Sequence, residues 1–275
     1  LRNRDLQINA IEKAPDGTVF IGTDFGLLVR TMDGWEYSFD EFDDLPSDFI
    51  TSICVSEEDP SRVYIGTDKG IGIIDYTYDR TLDIDCKTLK GSEELGTVSS
   101  MVFSNHTLFI GCRHGGLWEY DGKEIRSSNL EALYMIVSLE DDGAFLWIAT
   151  DGSGIFRLDK QKRSILQISS ADGLVSDHVL ALTKDKTSLW AGTVHGINRI
   201  FLNDINEPES IFLIGRHNGL SGTEIHENAV FAGDDRIWFG TVNGLVGIQP
   251  ALATPSSIPP DVWIRSIRAD GDKVG

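Results

Sequence analysis

Short runs of alternating apolar and polar residues, separated by Gly, Asp and Asn, fill most of this chain. One type of segment occurs six times: an apolar or aromatic pair, Gly-Thr or a close variant, a few mostly polar residues, then Gly and another apolar run. β-Branched and aromatic residues favour strands, so each copy predicts a strand, a tight turn and a second strand. The copies are VFIGTDFGLLV (19–29), VYIGTDKGIGII (63–74), LFIGCRHGGLWEY (108–120), LWIATDGSGIFRL (146–158), LWAGTVHGINRI (189–200) and WFGTVNGL (238–245).

The copies recur at a nearly constant interval. We mark each by the residue before its Thr or Cys, at positions 22, 66, 111, 149, 192 and 240, with intervals of 44, 45, 38, 43 and 48. A period in the low forties without a helix signal is typical of a β-propeller with one four-stranded blade per repeat. The sequence therefore predicts an all-β fold, a β-propeller of four-stranded blades in which six repeats are visible.

Two glycines in each repeat have separate expected roles. The later one suits a turn that needs positive φ, and the candidates are Gly26, Gly70, Gly115 or Gly116, Gly154, Gly196 and Gly244. The marker glycine is expected where blades crowd together, so that a side chain would meet the backbone of the neighbouring blade. Position 149 carries Ala, the smallest departure from Gly.

Two further strands complete each repeat. First strands are predicted at 8–13, 50–56, 98–104, 135–141, 179–185 and 228–234, each followed by a turn rich in Asp, Asn or Gly. Fourth strands are predicted at 35–39, 81–86, 124–129, 164–169 and 210–215.

Because strands alternate in direction, the turn after each marker and the link into each first strand should share one end of the propeller. We call this the turn end. Variable residues on a repeated framework are where binding is usually grafted. The candidate ligand-binding residues there are Arg113, His114, Asp151, His195, Arg216, His217 and Asn243. The alternative is that they are solvated turn residues, although turn propensity does not call for Arg or His.

The amino-acid composition argues against two classes of binding partner. The net charge of −19 argues against nucleic acid and anionic membranes, which both reward basic patches. No stretch reaches the roughly 20 apolar residues of a membrane helix, and the N-terminus has no signal-peptide core. Cys54 and Cys112 fall on predicted core strands and are expected to be buried.

No catalytic, metal or cofactor site is predicted. His195, His217 and His226 have no HxH or HExxH spacing, so a metal site is not supported. Carboxylate pairs suited to glycoside hydrolysis would arise by chance among 43 acidic residues. The tryptophans at repeated positions are expected to pack in the core: Trp147, Trp190 and Trp238.

The C-terminal part departs from the repeat. Residues 1–250 are assigned to the propeller, and ALATPSSIPP (251–260) reads as an extended linker because of its prolines. VWIRSIRADGDKV then predicts a new strand and a turn at Asp270-Gly271-Asp272. We expect residues 251–275 to contain this linker and the first strand of a following domain.

The pattern IxxIxxxxDGxxxIGTxxGLxxx, as in residues 8–30, resembles the two-component regulator propeller repeat. The stretch ending in GIQP, followed by PPDVWIRSIRADGDKV, is similar to the last repeat of such an array running into a triple-tyrosine (YYY) Ig-like domain. The resemblance covers the six repeats and the tail. Family members usually have seven-bladed rings, which implies that a seventh blade comes from outside this sequence; a closed six-bladed ring is the alternative.

The resemblance also implies a function. Such propellers occur in extracytoplasmic sensor regions of bacterial membrane proteins, often hybrid histidine kinases associated with polysaccharide use. It implies a non-enzymatic, periplasmic ligand-sensing region whose ligand is an oligosaccharide or another small molecule. Self-association would come through the full-length sensor, and membrane contact only through segments outside this sequence. Two alternatives remain: a carbohydrate-active propeller enzyme, and a spacer or dimerisation propeller that binds no ligand.

Overall fold

A computed structural model describes residues 6–79, 81–130 and 133–255, together with the backbone of two short strands near the C-terminus. Five four-stranded sheets, one three-stranded sheet and one two-stranded sheet make up the described part of the chain. No α-helix occurs in these residues, and the only helical elements in them are single 3-10 turns. These turns are Glu41–Asp43, Ser92–Glu94, Ser170–Asp172 and Arg216–Asn218.

The first three sheets follow the repeat closely. Blade 1 contains β1 (Ile8–Lys13), β2 (Val19–Thr23), β3 (Gly26–Arg30) and β4 (Glu36–Phe39). Blade 2 contains β5 (Ile50–Val55), β6 (Arg62–Thr67), β7 (Gly70–Asp79) and β8 (Thr81–Thr88). Blade 3 contains β9 (Val98–Ser104), β10 (Thr107–Cys112), β11 (Gly116–Tyr120) and β12 (Ile125–Ser127).

The next three sheets repeat the plan, with a shorter last member. Blade 4 contains β13 (Ile136–Asp141), β14 (Phe145–Thr150), β15 (Gly154–Asp159) and β16 (Ile165–Ile168). Blade 5 contains β17 (Val179–Lys184), β18 (Ser188–Thr193), β19 (Gly196–Leu202) and β20 (Pro208–Ile214). Blade 6 contains β21 (Ile225–Ala232), β22 (Ile237–Thr241) and β23 (Gly244–Ile248).

Each blade is an antiparallel meander in which strands pair in chain order. The first strands lie innermost, because β1, β5, β9, β13, β17 and β21 contact one another in that sequence around the molecule. This arrangement confirms the predicted all-β propeller of repeated blades. The first strand of blade 6 starts three residues earlier than predicted, at Ile225 instead of Asn228.

The marker glycines are where neighbouring blades pack. A Cβ built on Gly22 would lie 2.4 Å from Cγ2 of Ile50, and one on Gly111 would lie 2.6 Å from Cγ2 of Ile136. Each of these isoleucines opens the first strand of the next blade. The expected crowding is therefore present, but the prediction that a side chain would meet backbone is wrong. The glycine accommodates an aliphatic side chain of the following blade.

The turn glycine behaves as predicted. Gly70 has φ of 122° and Gly116 has φ of 75°, a region that residues with a Cβ rarely adopt. Of the two candidates in the third repeat, Gly116 therefore has this role and Gly115 does not.

Two of the three repeated tryptophans fill the core as predicted. Trp147 and Trp190 are fully buried. Their indole N–H groups donate to turn aspartates five residues earlier, to Asp142 and Asp185, each at 2.8 Å. Pairing the buried N–H with a carboxylate removes the desolvation cost that an unpaired donor would carry. Trp238 is only partly buried.

Over the described residues, the ring is open between blade 6 and blade 1. Ile8 is 56% exposed, whereas the residue at its position in the five other blades is at most 1% exposed. Leu245, opposite the marker of blade 6, is 71% exposed, whereas its five equivalents are at most 2% exposed. Within the described residues, no contact like that between other neighbouring first strands joins β21 to β1. We call these two facing surfaces the seam; a seventh blade that would fill it stays a prediction.

The segment after blade 6 folds back onto blade 5. The guanidinium of Arg199 is almost fully buried, stacks 4.9 Å from the ring of Trp190 and donates to the carbonyls of Pro250 and Ala253 at 2.5 and 3.0 Å. Further on, β24 (Ile267–Ala269) and β25 (Asp272–Val274) pair as an antiparallel hairpin. Part of the predicted linker and part of the predicted turn at Asp270-Gly271-Asp272 lie outside the described residues, and the domain boundary stays a prediction.

We expect Gly22→Ala to destabilise the fold by about 1–3 kcal/mol, because its Cβ would overlap Ile50 and force the next blade to shift. Gly215→Ala is the matched control. Its Cβ would have only one neighbouring atom, at 4.0 Å, so a change below about 0.5 kcal/mol is expected. Urea unfolding of the three proteins measures both values. Equal stability of parent and Gly22→Ala would contradict the packing role of the marker.

We also expect the 275-residue chain to self-associate through the seam. Phe231→Ser combined with Leu245→Ser should shift sedimentation profiles toward the monomer, since both side chains are exposed on the blade 6 face of the seam. Phe42→Ser is the control, because Phe42 is 89% exposed but lies on the link between blades 1 and 2. A parent that is monomeric at all concentrations would overturn this expectation.

Candidate functional site: the turn end of the propeller

Backbone hydrogen bonds join the turns and the links at one end of the propeller. The turn residue Arg113 donates its N–H to the carbonyl of Thr97 at 3.0 Å, and Asp151 donates to Met135 at 2.9 Å. Gly26 donates to Asp48, on the link to the next blade, at 2.7 Å. The prediction that turns and links share an end is therefore confirmed by the geometry.

Arg113 makes a long-range contact at this end. It extends from the turn of blade 3 and forms an ion pair with Glu227 of blade 6. Its side chain is 27% exposed and that of Glu227 is 46% exposed. The pair therefore joins two blades that are not neighbours in the ring, and it remains open to solvent.

An irregular segment of β21 makes this contact possible. Strand pairing passes from Ile225 opposite Thr241 directly to Val230 opposite Phe239, so residues 226–229 bulge out of the ladder. Asn228 has φ of 53°, in the left-handed region, and donates its side-chain amide to the carbonyl of Ser99 at 3.0 Å. The bulge therefore lies across the inner strands and contacts blade 3.

Sequence reasoning missed Glu227 and Asn228 as site residues. The available signal was the interval of 48 residues before the last marker, the longest of the five. Extra length in one repeat indicates an insertion, although it does not say where the inserted residues point.

Asp151 pairs with a histidine of the adjacent link. Its carboxylate Oδ1 lies 2.5 Å from Nδ1 of His178, and the backbones of the two residues form an isolated β-bridge. The His178 side chain is 56% exposed. A carboxylate that holds one ring nitrogen of a histidine orients the other, so this pair can bind a polar ligand or accept a proton.

The other five predicted residues are exposed and are spread over four turns, with Arg216 and His217 on the same one. The His114 ring lies 6.1 Å from the ring of Tyr134, and Asn243 donates its amide to the carbonyl of Ser221 at 3.0 Å. His195 is on the turn of blade 5, while Arg216 and His217 open the 3-10 turn that follows that blade. No hydrogen bond or ion pair joins two of the seven predicted residues, all of which the structure describes.

Two cavities lie at the opposite end, which we call the hairpin end because it holds the turns between first and second and between third and fourth strands. One, of about 450 Å³, lies between blades 3 and 4. The other, of about 470 Å³, lies between blades 4 and 5. Asp159 and Lys162 line both. None of the seven predicted site residues lies at this end.

A carboxyl group near these cavities has an altered acidity. Burial raises the pKa of Glu140 to about 7, against the lowering effect of the Lys184 N–H that donates to it at 3.0 Å. The neighbouring carboxylates of Asp141 and Asp142 add to the rise in the Glu140 pKa.

Over residues 6–79, 81–130 and 133–255, no three His, Cys, Asp or Glu side chains come together in a way that could hold a metal ion. No helix in the described part of the chain is long and apolar enough to cross a membrane. Cys54 and Cys112 are buried as predicted, and burial raises the pKa of both thiols to about 12.

Comparison with known proteins finds similarity at the level of the fold. No protein-family profile matches the chain, and no curated protein sequence matches it. Among solved structures, the extracellular domain of the hybrid two-component system BT3049 from B. thetaiotaomicron aligns with a TM-score of 0.74 and 18% identity over 98% of this chain and 38% of that chain. The corresponding domain of BT4673 gives 0.69 and 19% identity over 90% of this chain and 35% of that chain.

Virginiamycin B lyase from Staphylococcus aureus is also similar, with a TM-score of 0.63 and 16% identity over 94% of this chain and 87% of that chain. The chain thus spans less than two fifths of the two extracellular domains but nearly the length of the lyase. At these identities the similarity establishes the propeller fold.

Glu140 predicts a pH dependence of stability. Its pKa is higher in the folded than in the unfolded chain, so as pH rises from about 4.5 the unfolded state ionises first and is favoured. The contribution of Glu140 to the free energy of unfolding is fully present below about pH 4.5 and is lost as pH rises through about 7. We expect the free energy of unfolding to fall by about 1–3 kcal/mol less in Glu140→Gln than in the parent, measured by urea unfolding between pH 4.5 and 8. Glu57→Gln, at an exposed turn, should keep the parent's slope; an identical slope in Glu140→Gln would contradict the assignment.

Proposed function

We propose that this chain is a ligand-sensing propeller from the extracytoplasmic, periplasmic part of a bacterial two-component signalling protein. Its fold is shared with extracellular domains of hybrid two-component systems, which supports the assignment without carrying it alone. In this proposal the region itself is non-enzymatic, and a histidine kinase elsewhere in the full-length protein supplies the output.

The observation that carries the proposal is the contact across the inner strands at the turn end. Arg113 and Asn228 each connect blade 3 with blade 6, through Glu227 and the Ser99 carbonyl respectively. A ligand that hydrogen-bonds Arg113 would compete with Glu227 and alter the position of the bulge. Blade 6 is followed directly by the segment in which the chain leaves the propeller. A change in the position of the bulge would therefore be transmitted to that segment.

The proposed ligand is an oligosaccharide. The turn end offers charged and amide side chains on several turns, which suits a hydroxyl-rich ligand that needs both donors and acceptors. The exposed groups available for this purpose are Arg113, His114, His195, Arg216, His217 and Asn243, together with the Asp151–His178 pair.

A thermal-shift screen with neutral oligosaccharides tests the proposal. A ligand that binds only the folded chain at about 100 times its Kd adds about 2.7 kcal/mol of stability, which corresponds to a rise of several degrees in Tm. We expect this rise in the parent and its loss in Arg113→Gln.

Arg126→Gln is the matched control, because Arg126 is an exposed arginine of the same blade on the hairpin end. It should keep the full shift. A shift that survives in Arg113→Gln would refute the turn-end site. The absence of a shift with every sugar would favour the spacer function. Product formation that is lost in His178→Ala would instead favour a carbohydrate-active enzyme.

A further inference from the structure

The cavity between blades 3 and 4 is built from three turns of the hairpin end. Residues 104–107 contribute the turn between β9 and β10, Gly143 and Ala144 the turn between β13 and β14, and residues 159–163 the turn between β15 and β16. The buried ring of Phe109 lines it as well. Its volume of about 450 Å³ is within the range of small-molecule sites.

Three of the four residues after Asp159 are basic. Lys160, Lys162 and Arg163 all line the cavity. The chain as a whole has 43 acidic against 24 basic residues. The corresponding turns of the other described blades carry at most one basic residue, such as Lys123 in blade 3. Repeat geometry therefore does not require this concentration of positive charge.

Two of the three basic side chains, those of Lys160 and Arg163, are held in place by other residues of the protein. The Lys160 side chain is 11% exposed, donates to Oγ of Ser104 at 2.6 Å and forms an ion pair with Asp141. Arg163 lies 2.7 Å from Oε1 of Glu119. Because these partners already order the two side chains, a ligand that binds them restricts less conformational entropy.

The third cation lies at the mouth. Lys162 is 77% exposed and its ammonium is 3.3 Å from the Asp159 carboxylate. Lysine and arginine carry only N–H donors, and the partners named here engage about a third of those on the three side chains. The remaining donors call for a group that only accepts hydrogen bonds, and an ionised acceptor forms the stronger bonds.

We infer that this cavity is a binding site for a small anion bearing a carboxylate or sulfate ester. Lys160 and Arg163 provide the fixed donors, and Lys162 closes on the anionic group from the solvent side. The site is on the opposite end from the proposed sensing site and does not depend on it.

Calorimetric titration at low salt with glucuronate, glucose 6-sulfate and glucose tests the inference. The three probes share a ring and differ in the charged group. We expect at least one of the two anions to bind, and glucose to bind at least tenfold more weakly. The ratio between the two anions distinguishes carboxylate from sulfate ester. The loss of one charged hydrogen bond in Lys162→Glu should weaken binding of the anion about tenfold or more.

Lys123→Glu is the control, since it makes the same change of net charge in the equivalent turn of blade 3, outside the cavity lining. It should bind the anion like the parent. Failure of both anions to bind, binding of glucose with equal affinity, or an equal loss in Lys123→Glu would each overturn the inference. None of these results bears on the turn-end sugar screen.

Discussion

The contact between a marker glycine and the first strand of the next blade is the constraint on which this fold depends. The glycine allows an aliphatic residue, such as Ile50 on Gly22 or Ile136 on Gly111, to approach the neighbouring sheet closely. Full burial of such a side chain contributes about 1.5–3 kcal/mol, and the contact recurs from blade to blade. Where it is missing, at the seam, Ile8 and Leu245 are exposed. The same interaction thus explains both the regular spacing of the blades and the position of the opening in the ring.

Most of the scaffold could be predicted because its determinants are local and repeated. Turn glycines, period-two strands and turn aspartates each act within a few residues, and six copies remove the ambiguity of any one. The length of the bulge at residues 226–229 could not be predicted in this way, because the other five first strands carry only a one-residue bulge at the same place. The pair formed by Asp151 and His178 depends on two segments that only the folded sheet brings together. The cavity between blades 3 and 4 likewise joins turns near residues 105, 143 and 160.

The two ends of the propeller therefore differ in chemistry although one repeat generates both. At the turn end, polar side chains are spread over separate turns, and a bulge connects blades 3 and 6. At the hairpin end, one turn concentrates positive charge beside a cavity. The repeated strands fix the positions of all turns, so that changes within single turns alter the chemistry of one end without altering the core.

The strengths of the contacts also suit the proposed sensing function. An exposed ion pair such as that of Arg113 with Glu227 contributes about 0–1 kcal/mol, so a ligand needs only a small difference in affinity to displace it. Arg199, by contrast, is almost fully buried and fixes Pro250 and Ala253 to blade 5 through two hydrogen bonds. Breaking those bonds would leave N–H donors of a buried guanidinium without acceptors, which is more costly. A ligand at the turn end would therefore move the bulge of blade 6 relative to blade 3, while the segment after blade 6 stays attached to blade 5. In the proposed function, blade 6 lies between a weak contact and a strong one, so that strain introduced at the first would be carried toward the second.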